Sequence, residues 1–342
     1  MNMETRVDFD TSMAHAATGA DLHRHFAGST LLTVRGRTLV DRAYGTADRV
    51  TGRPNTCDTV FQLASVSKQF TAAAVLLLEE DGVLSVNDPV RRWIHGYSDG
   101  WRAITIHQLL SHTAGLPHWP DLPELDLYRP APWDHLLAIV AGHPLRFPPG
   151  HGWAYSSPGY LLLGNIVEQA SGQTYRDFLR RRIFQPLDMR ATAAGSHPPV
   201  AFPRAQGYTA GTPVEPFDLD AAGKGAGDIW STTGDLARWN GALSTPGRVL
   251  GKRSLEKMFE IHASVPSGVA SSFPALHPMA YGYGWYLAEL GGRRVEFHAG
   301  DNPGYRSVLI RIPETDSMVC VLSNDDSGDP GQVAEQLLGL IP

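Results

Sequence analysis

The chain is 342 residues long, 42% hydrophobic and 19% charged, with a formal net charge of −6. That apolar share excludes wholesale disorder. Mild acidity excludes a nucleic-acid groove or an anionic membrane surface as the main partner, since both need clustered cations.

The first 22 residues carry Asp8, Asp10 and Asp21 and lack a basic start followed by an apolar stretch. No secretory signal is read there, and a cytoplasmic chain is expected. Residues 11–25 are predicted to be helical. Two short strands follow, Thr30–Arg35 and Arg37–Ala43, turned at Gly36. Cys57 and Cys320 form no CxxC or metal-spaced pattern; each is expected to be a small buried residue, with one disulfide left open. Residues 66–80 (VSKQFTAAAVLLLEE) are rich in Ala and Leu and end before Gly82, which predicts a central buried helix. Its Ala72–Leu78 stretch is the longest apolar run, far short of a bilayer span. Further helices are predicted at 105–111, 133–141, 158–171, 174–183, 232–244 and 253–262. Thr232 and Asp235 open one of them at capping-box spacing. Strands are predicted at 281–288, 293–298, 305–312 and 317–323, and a helix at 331–341. Strands at both ends and helices between them predict one sheet built from both termini with a helical lobe inserted. The lobes are placed at about 1–75 with 225–342, and at about 76–224, in one catalytic domain. Three Pro-rich connections, 117–134, 197–220 and 264–280, are candidates to rim a binding site.

Four of the 29 cations are lysine: Lys68, Lys224, Lys252 and Lys257. Lys68 follows Ser65 by three residues, so both side chains share one helix face a turn apart. Ser65 sits at the helix start, where free N–H groups and the dipole favour a developing oxyanion. A lysine sunk in an apolar helix loses basicity by desolvation and can take the serine proton. Ser254 and Lys257 repeat the spacing, but there Ser254 is read as a helix cap and Lys257 as solvated beside Glu256 and Glu260. Gly96-Tyr97-Ser98-Asp99-Gly100 fits the G-x-S-x-G elbow, yet it lacks a buried strand before it and is read as a polar turn. The histidines His23, His25, His107, His112 and His118 have no metal-ligand spacing and are read as surface or structural. No metal or other cofactor is expected.

FQLASVSKQFTAAAVLLLEEDGVLSVNDPV (61–90) resembles the nucleophile helix of the serine β-lactamase and penicillin-binding-protein superfamily. The similarity is to the branch of class C β-lactamases, D-stereospecific peptidases and β-lactamase-like esterases. Further blocks appear in that family's order: ITIHQLLSHTAGL (104–116), FPPGHGWAYSSPGYLLLGNIVEQASG (147–172), PLDM (186–189), STTGDLARW (231–239), YGYGW (281–285) and HAGDNPGY (298–305). The resemblance implies an α/β (α+β) fold of the β-lactamase/transpeptidase type, with an antiparallel sheet flanked by helices. It implies Ser65 as the acylated nucleophile, Lys68 in its proton network, and Tyr155 as second base and proton donor, a phenolate if neighbouring cations favour one. It further implies an oxyanion hole from the backbone N–H groups of Ser65 and Asp301. His298-Ala299-Gly300 stands where Lys-Thr-Gly is usual; the resemblance implies that these residues bind substrate, His298 polarising the site and holding the acyl end and Gly300 letting that strand edge approach the substrate.

Two departures shape the expected activity. The family's Tyr-x-Asn reads Tyr155-Ser156-Ser157, and a Ser157 hydroxyl reaches less far than an amide. The missing lysine of Lys-Thr-Gly removes a cation for a β-lactam carboxylate, and Asp301 adds a negative charge instead. Expected, then, is a cofactor-free serine hydrolase acting on a small ester, amide or peptide, with weak or no β-lactamase activity. Acyl transfer and a non-catalytic binding or sensor role are the alternatives. Trp119, Trp153 and Trp230 are candidates for an aromatic wall. Oligomeric state and natural substrate are left open.

Overall fold

The computed structural model describes residues 26–96, 99–215, 218–267 and 276–341. The helix expected over 11–25, His23, His25, and the Tyr97 and Ser98 of the elbow-like turn lie outside the described residues.

Eight strands form the main sheet: β1 (Gly28–Val34), β2 (Arg37–Tyr44), β3 (Ala263–Ser264), β4 (Ala280–Tyr281), β5 (Tyr286–Leu290), β6 (Arg293–Asn302), β7 (Tyr305–Ile312) and β8 (Ser317–Ser323). Their order is β3-β4-β5-β6-β7-β8-β1-β2, and every pairing is antiparallel. The two ends of the chain therefore meet inside one sheet, where Leu31 of β1 faces Cys320 of β8. Helices are α1 (Lys68–Glu80), α2 (Ile106–Leu110), α3 (Trp133–Gly142), α4 (Ser157–Ser171), α5 (Tyr175–Leu179), α6 (Thr233–Leu243), α7 (Lys252–Phe259) and α8 (Pro330–Leu338). A small sheet of Phe61–Gln62, Ile229–Ser231 and Ala193–Ala194 ties the chain before α1 to the chain before α6.

The period-2 alternation of strands sorts the core into two layers. Val308, Ile310, Val319, Val321 and Leu32 pack with Val333 and Leu337 of α8 on one face. Leu309, Met318, Cys320, Leu322 and Leu31 point the other way, into the larger core around α1. Every residue of α1 from Lys68 to Leu78 is buried, as its all-round apolar character predicts. Cys57 and Cys320 are both free. No helix among the described residues is long and apolar enough to cross a membrane.

Several elements depart from expectation for local reasons. The strand predicted at 281–288 is two strands, β4 and β5, parted by a turn. Gly284 in that turn has φ 77, and a Cβ there would meet Lys68 O at 2.9 Å, so the turn packs on the start of α1. β6 runs on to Asn302, past the predicted end at 298. Residues 180–184 continue α5 as a π-helical turn. α7 stops at Phe259 rather than 262; its Met258 carbonyl accepts from Tyr283 N, and the chain turns to pair as β3. Gly251 is the α7 N-cap, so Ser254 caps nothing and is buried. Lys257 is not solvated: its Nζ donates to Glu79 at 2.6 Å in a partly buried pair. Thr232 does cap α6, accepting from Asp235 N at 3.2 Å, while the Asp235 carboxylate takes Ala191 N and the Thr192 hydroxyl.

Candidate active site

The turn before α1 is gripped from three sides. Leu63 N donates to Ile229 O at 2.7 Å, Ile229 N donates to Ser67 Oγ at 3.0 Å, and Ser307 Oγ of β7 donates to Leu63 O. Ala64 is held at φ 46, an uncommon conformation for a residue with a Cβ. Such strain persists only where surroundings over-determine it. Its effect is to present Ser65, half-buried, at the N-terminal end of the helical segment.

β5 pairs with β6 only through Phe297. Beyond that point the β6 edge is unclaimed by β5 and lies against the Ser65 turn. Gly300 makes this possible: a Cβ there would sit 2.2 Å from Leu63 O and 2.9 Å from Ala64 Cβ. The close approach that Gly300 permits here is to the Ser65 turn, and Gly300 also lines the cleft. Gly300→Ala is expected to cost roughly 1–3 kcal/mol of stability and to lower turnover by about 100-fold, because the turn and strand must separate. A thermal melt beside ester-hydrolysis kinetics checks both.

At the first residue of α1, one turn beyond Ser65, Lys68 is fully buried. Its Nζ lies 3.0 Å from Ser65 Oγ, 3.2 Å from Ser157 Oγ and 2.8 Å from Ala226 O. Burial holds its pKa well below the ordinary lysine value, and the attraction of Asp228 opposes this only in part. The carbonyl of Ala226 can only accept. In its neutral form the amine can send one N–H to Ala226 O and one to Ser157, leaving its lone pair for the Ser65 hydroxyl.

Tyr155 precedes α4, whose N-cap is Ser156; Ser156 Oγ accepts from Gly159 N at 3.1 Å and donates to Pro117 O at 2.7 Å. Lys68 Nζ stands 4.9 Å from the Tyr155 ring centre. Burial pushes the phenol's pKa up, and hydrogen bonds with Ser65 and Ser157 pull it back only in part. The resting phenol is protonated, so the cation-favoured phenolate suggested by sequence is not its ground state.

His298 is also buried, and burial with the nearby Lys68 pushes its pKa down to about 3. Nδ1 faces Ala299 O at 2.6 Å and so carries the proton; Nε2 accepts from Tyr281 Oη at 3.1 Å. It is a neutral ring with both nitrogens engaged, not a replacement cation.

Two histidines read as structural or surface residues also belong here. Ser156 N donates to His112 Nδ1, and Ser157 N to His118 Nδ1, each at 3.2 Å. The sequence signal was their place around the HTAGL block, but histidine spacing alone does not disclose a role as a backbone acceptor. Asp228 was missed entirely. It is buried, with a pKa raised to about 8 by burial, and its Oδ1 accepts Gly225 N at 3.1 Å. It closes the turn that presents Ala226 O to Lys68.

These groups line a cleft of about 380 Å³. Ser65, Tyr155, Ser157, His298, Ala299, Gly300 and Asp301 all reach it. The 117–134 connection supplies His118, Trp119, Leu127 and Tyr128, and 264–280 supplies Pro278; the described residues of the 197–220 connection supply none of the lining. Trp119 is the wall tryptophan. Trp153 is not in the lining and packs edge-on to His112. Trp230 is fully buried in the small sheet, donating to Gly195 O at 3.0 Å, because its strand is central between two others. Among the described residues, Asp301 is the single acidic or basic side chain in the lining besides histidine; it is 73% exposed and 4.0 Å from Arg306.

The family model that matches, over residues 14–341, is described as Beta-lactamase. The chain is 32% identical to Penicillin-binding protein 4* of Bacillus subtilis (strain 168) over 321 residues, covering 88% of this chain and 68% of that one. It is 38% identical to Esterase EstB of Burkholderia gladioli over 202 residues, 52% of this chain and 50% of that one. It thus spans about half to two thirds of the length of these curated relatives. Among solved structures, D-amino acid amidase from Ochrobactrum anthropi SV3 superposes with a TM-score of 0.79 at 27% identity, covering 97% of each chain. A penicillin-binding protein from Bacillus halodurans gives 0.76 at 25% identity, again with 97% of each covered.

Proposed function

The chain belongs to the beta-lactamase family and is a serine hydrolase of that family, and on that premise we propose that it cleaves small esters or amides through an acyl-enzyme on Ser65. The observation that carries this reading is Lys68 Nζ, fully buried and 3.0 Å from Ser65 Oγ. Neutral Lys68 takes the hydroxyl proton as Ser65 Oγ bonds to the substrate carbonyl carbon. The backbone N–H groups of Ser65 and Asp301 receive the developing oxyanion. As the tetrahedral intermediate collapses, the bond to the leaving group breaks and Tyr155 O–H protonates that group. Lys68 returns its proton to Tyr155 through the Ser157 hydroxyl, because the acylated Ser65 Oγ has no proton to pass on. Neutral Lys68 then takes a proton from water as its oxygen bonds to the acyl carbon, and gives that proton to Ser65 Oγ as the acyl–Oγ bond breaks and the acid is released.

The test is intact-protein mass after a short exposure to p-nitrophenyl esters and a fluorophosphonate. A mass gain localised to Ser65 is the expected result. An unmodified protein that still turns over ester would overturn the reading.

The cleft's charge argues for neutral substrates. Its rim holds Asp301, and His298 is neutral where a cation would be needed for a β-lactam carboxylate. Asp301→Asn is expected to raise kcat/KM for a chromogenic cephalosporin about 3- to 5-fold, the size of an exposed charge–charge term. A neutral ester should be unaffected, and the gain should shrink in high salt.

A further inference from the structure

Most polar side chains near the reacting groups are already engaged. Ser157 Oγ accepts from Lys68, and Ser156 Oγ is held between Gly159 N and Pro117 O. Both nitrogens of His298 are occupied. Asn302 Nδ2 donates to Gln62 Oε1 at 2.7 Å and Gly227 O at 3.1 Å. Ser157, in place of the amide of Tyr-x-Asn, is thus already paired with Lys68.

His118 reaches the same cleft from another loop. Its Nδ1 accepts Ser157 N–H, which makes the ring the Nε2–H tautomer and pins it from behind. The ring stands edge-on to Tyr155, at 5.3 Å and 90°, on the wall of the cleft. Nε2–H has no hydrogen-bond partner in the protein among the described residues, and it is not sealed from solvent. Burial and Lys68 push the ring's pKa down to about 4, so at neutral pH it offers an uncharged N–H. A fixed neutral donor suits a carbonyl oxygen better than a carboxylate, which the Asp301 rim also disfavours.

We propose that His118 sets acyl-group specificity, its Nε2–H donating to a second carbonyl oxygen carried on the acyl side of the scissile bond. The preferred substrates are then oxoacyl or acylamino-acyl esters and amides, not plain alkanoyl ones. This rests on the acyl-enzyme reading above.

The decisive pair is p-nitrophenyl levulinate and p-nitrophenyl pentanoate, which differ by a carbonyl in place of one methylene. Wild-type protein should prefer the levulinate ester in kcat/KM by about 10-fold or more, the range in which a donor left unpaired discriminates. His118→Phe should abolish that preference, read as the ratio of the two kcat/KM values, whatever its effect on pentanoate hydrolysis alone. His118→Gln, which keeps an amide N–H, should restore part of it. The proposal is overturned if wild type shows no preference, if His118→Phe retains it, or if both esters slow by the same factor. Intact mass separates the two levels: pentanoyl-Ser65 forming without any His118-dependent preference sinks this proposal alone. Failure of either ester to acylate wild-type protein sinks the acyl-enzyme reading and this proposal with it.

Discussion

Ser65→Ala is expected to remove covalent labelling completely and to lower kcat on an activated ester by at least about 10⁴-fold, as loss of a nucleophile does elsewhere. Its melting temperature should hardly move, because Ser65 is half-buried and its Oγ meets only the reacting groups. Ser67→Ala is the informative neighbour. Ser67 Oγ is buried and accepts Ile229 N at 3.0 Å, anchoring the small sheet to the turn. Its loss should cost about 1–3 kcal/mol, since a buried N–H is left unpaired, yet leave Ser65 open to acylation. Mass spectra and melts on the two variants should therefore show opposite patterns. Persistent labelling in Ser65→Ala would place the nucleophile elsewhere.

Lys68→Arg should be almost as severe, with kcat/KM reduced about 10³-fold or more, within the range of a removed general base together with lost positioning. A guanidinium stays protonated at any working pH and so cannot accept the Ser65 proton. It must also be buried where an amine fits among Ser65, Ser157 and Ala226 O. Full activity in the arginine variant would overturn the role of Lys68 as base. Titration supplies a second check. The folded pKa of Lys68 lies below its unfolded value near 10.5, so between the two the unfolded chain binds more protons. Stability should therefore rise with pH across that window, and it is lost as pH falls toward the folded value. Lys68→Met should lack this slope in urea titrations at several pH values. Activity should show an acid limb that also falls below the ordinary lysine range.

The long, strongly patterned elements were legible because periodicity alone specifies them: α1 is buried all round, and β7 and β8 alternate between two cores. Legibility failed where a distant segment decides the outcome. The 281–288 strand breaks because Gly284 must turn against Lys68 O. Lys257 looks solvated beside Glu256 and Glu260, yet Glu79, far back in the chain, claims it. Trp230 was read as a wall residue, but its strand lies between Phe61–Gln62 and Ala193–Ala194. Asp228 carries no motif of its own. Its meaning lies in the turn that it closes under Ala226 O, which folding alone brings to Lys68.

The sequence by itself determined the reactive residue types: a Ser-x-x-Lys at the head of an apolar helix, in a chain that otherwise chooses arginine, and a tyrosine block downstream. Helix geometry is local, so three residues of spacing suffice to put Ser65 and Lys68 on one face. Only the tertiary structure decided their protonation and their surroundings. Desolvation depends on everything packed around a group, and it leaves Lys68 basicity low, Tyr155 protonated and His298 neutral. Hydrogen-bond direction likewise depends on partners distant in sequence. Ser157 N fixes which nitrogen of His118 accepts and which carries the proton, although 39 residues separate them.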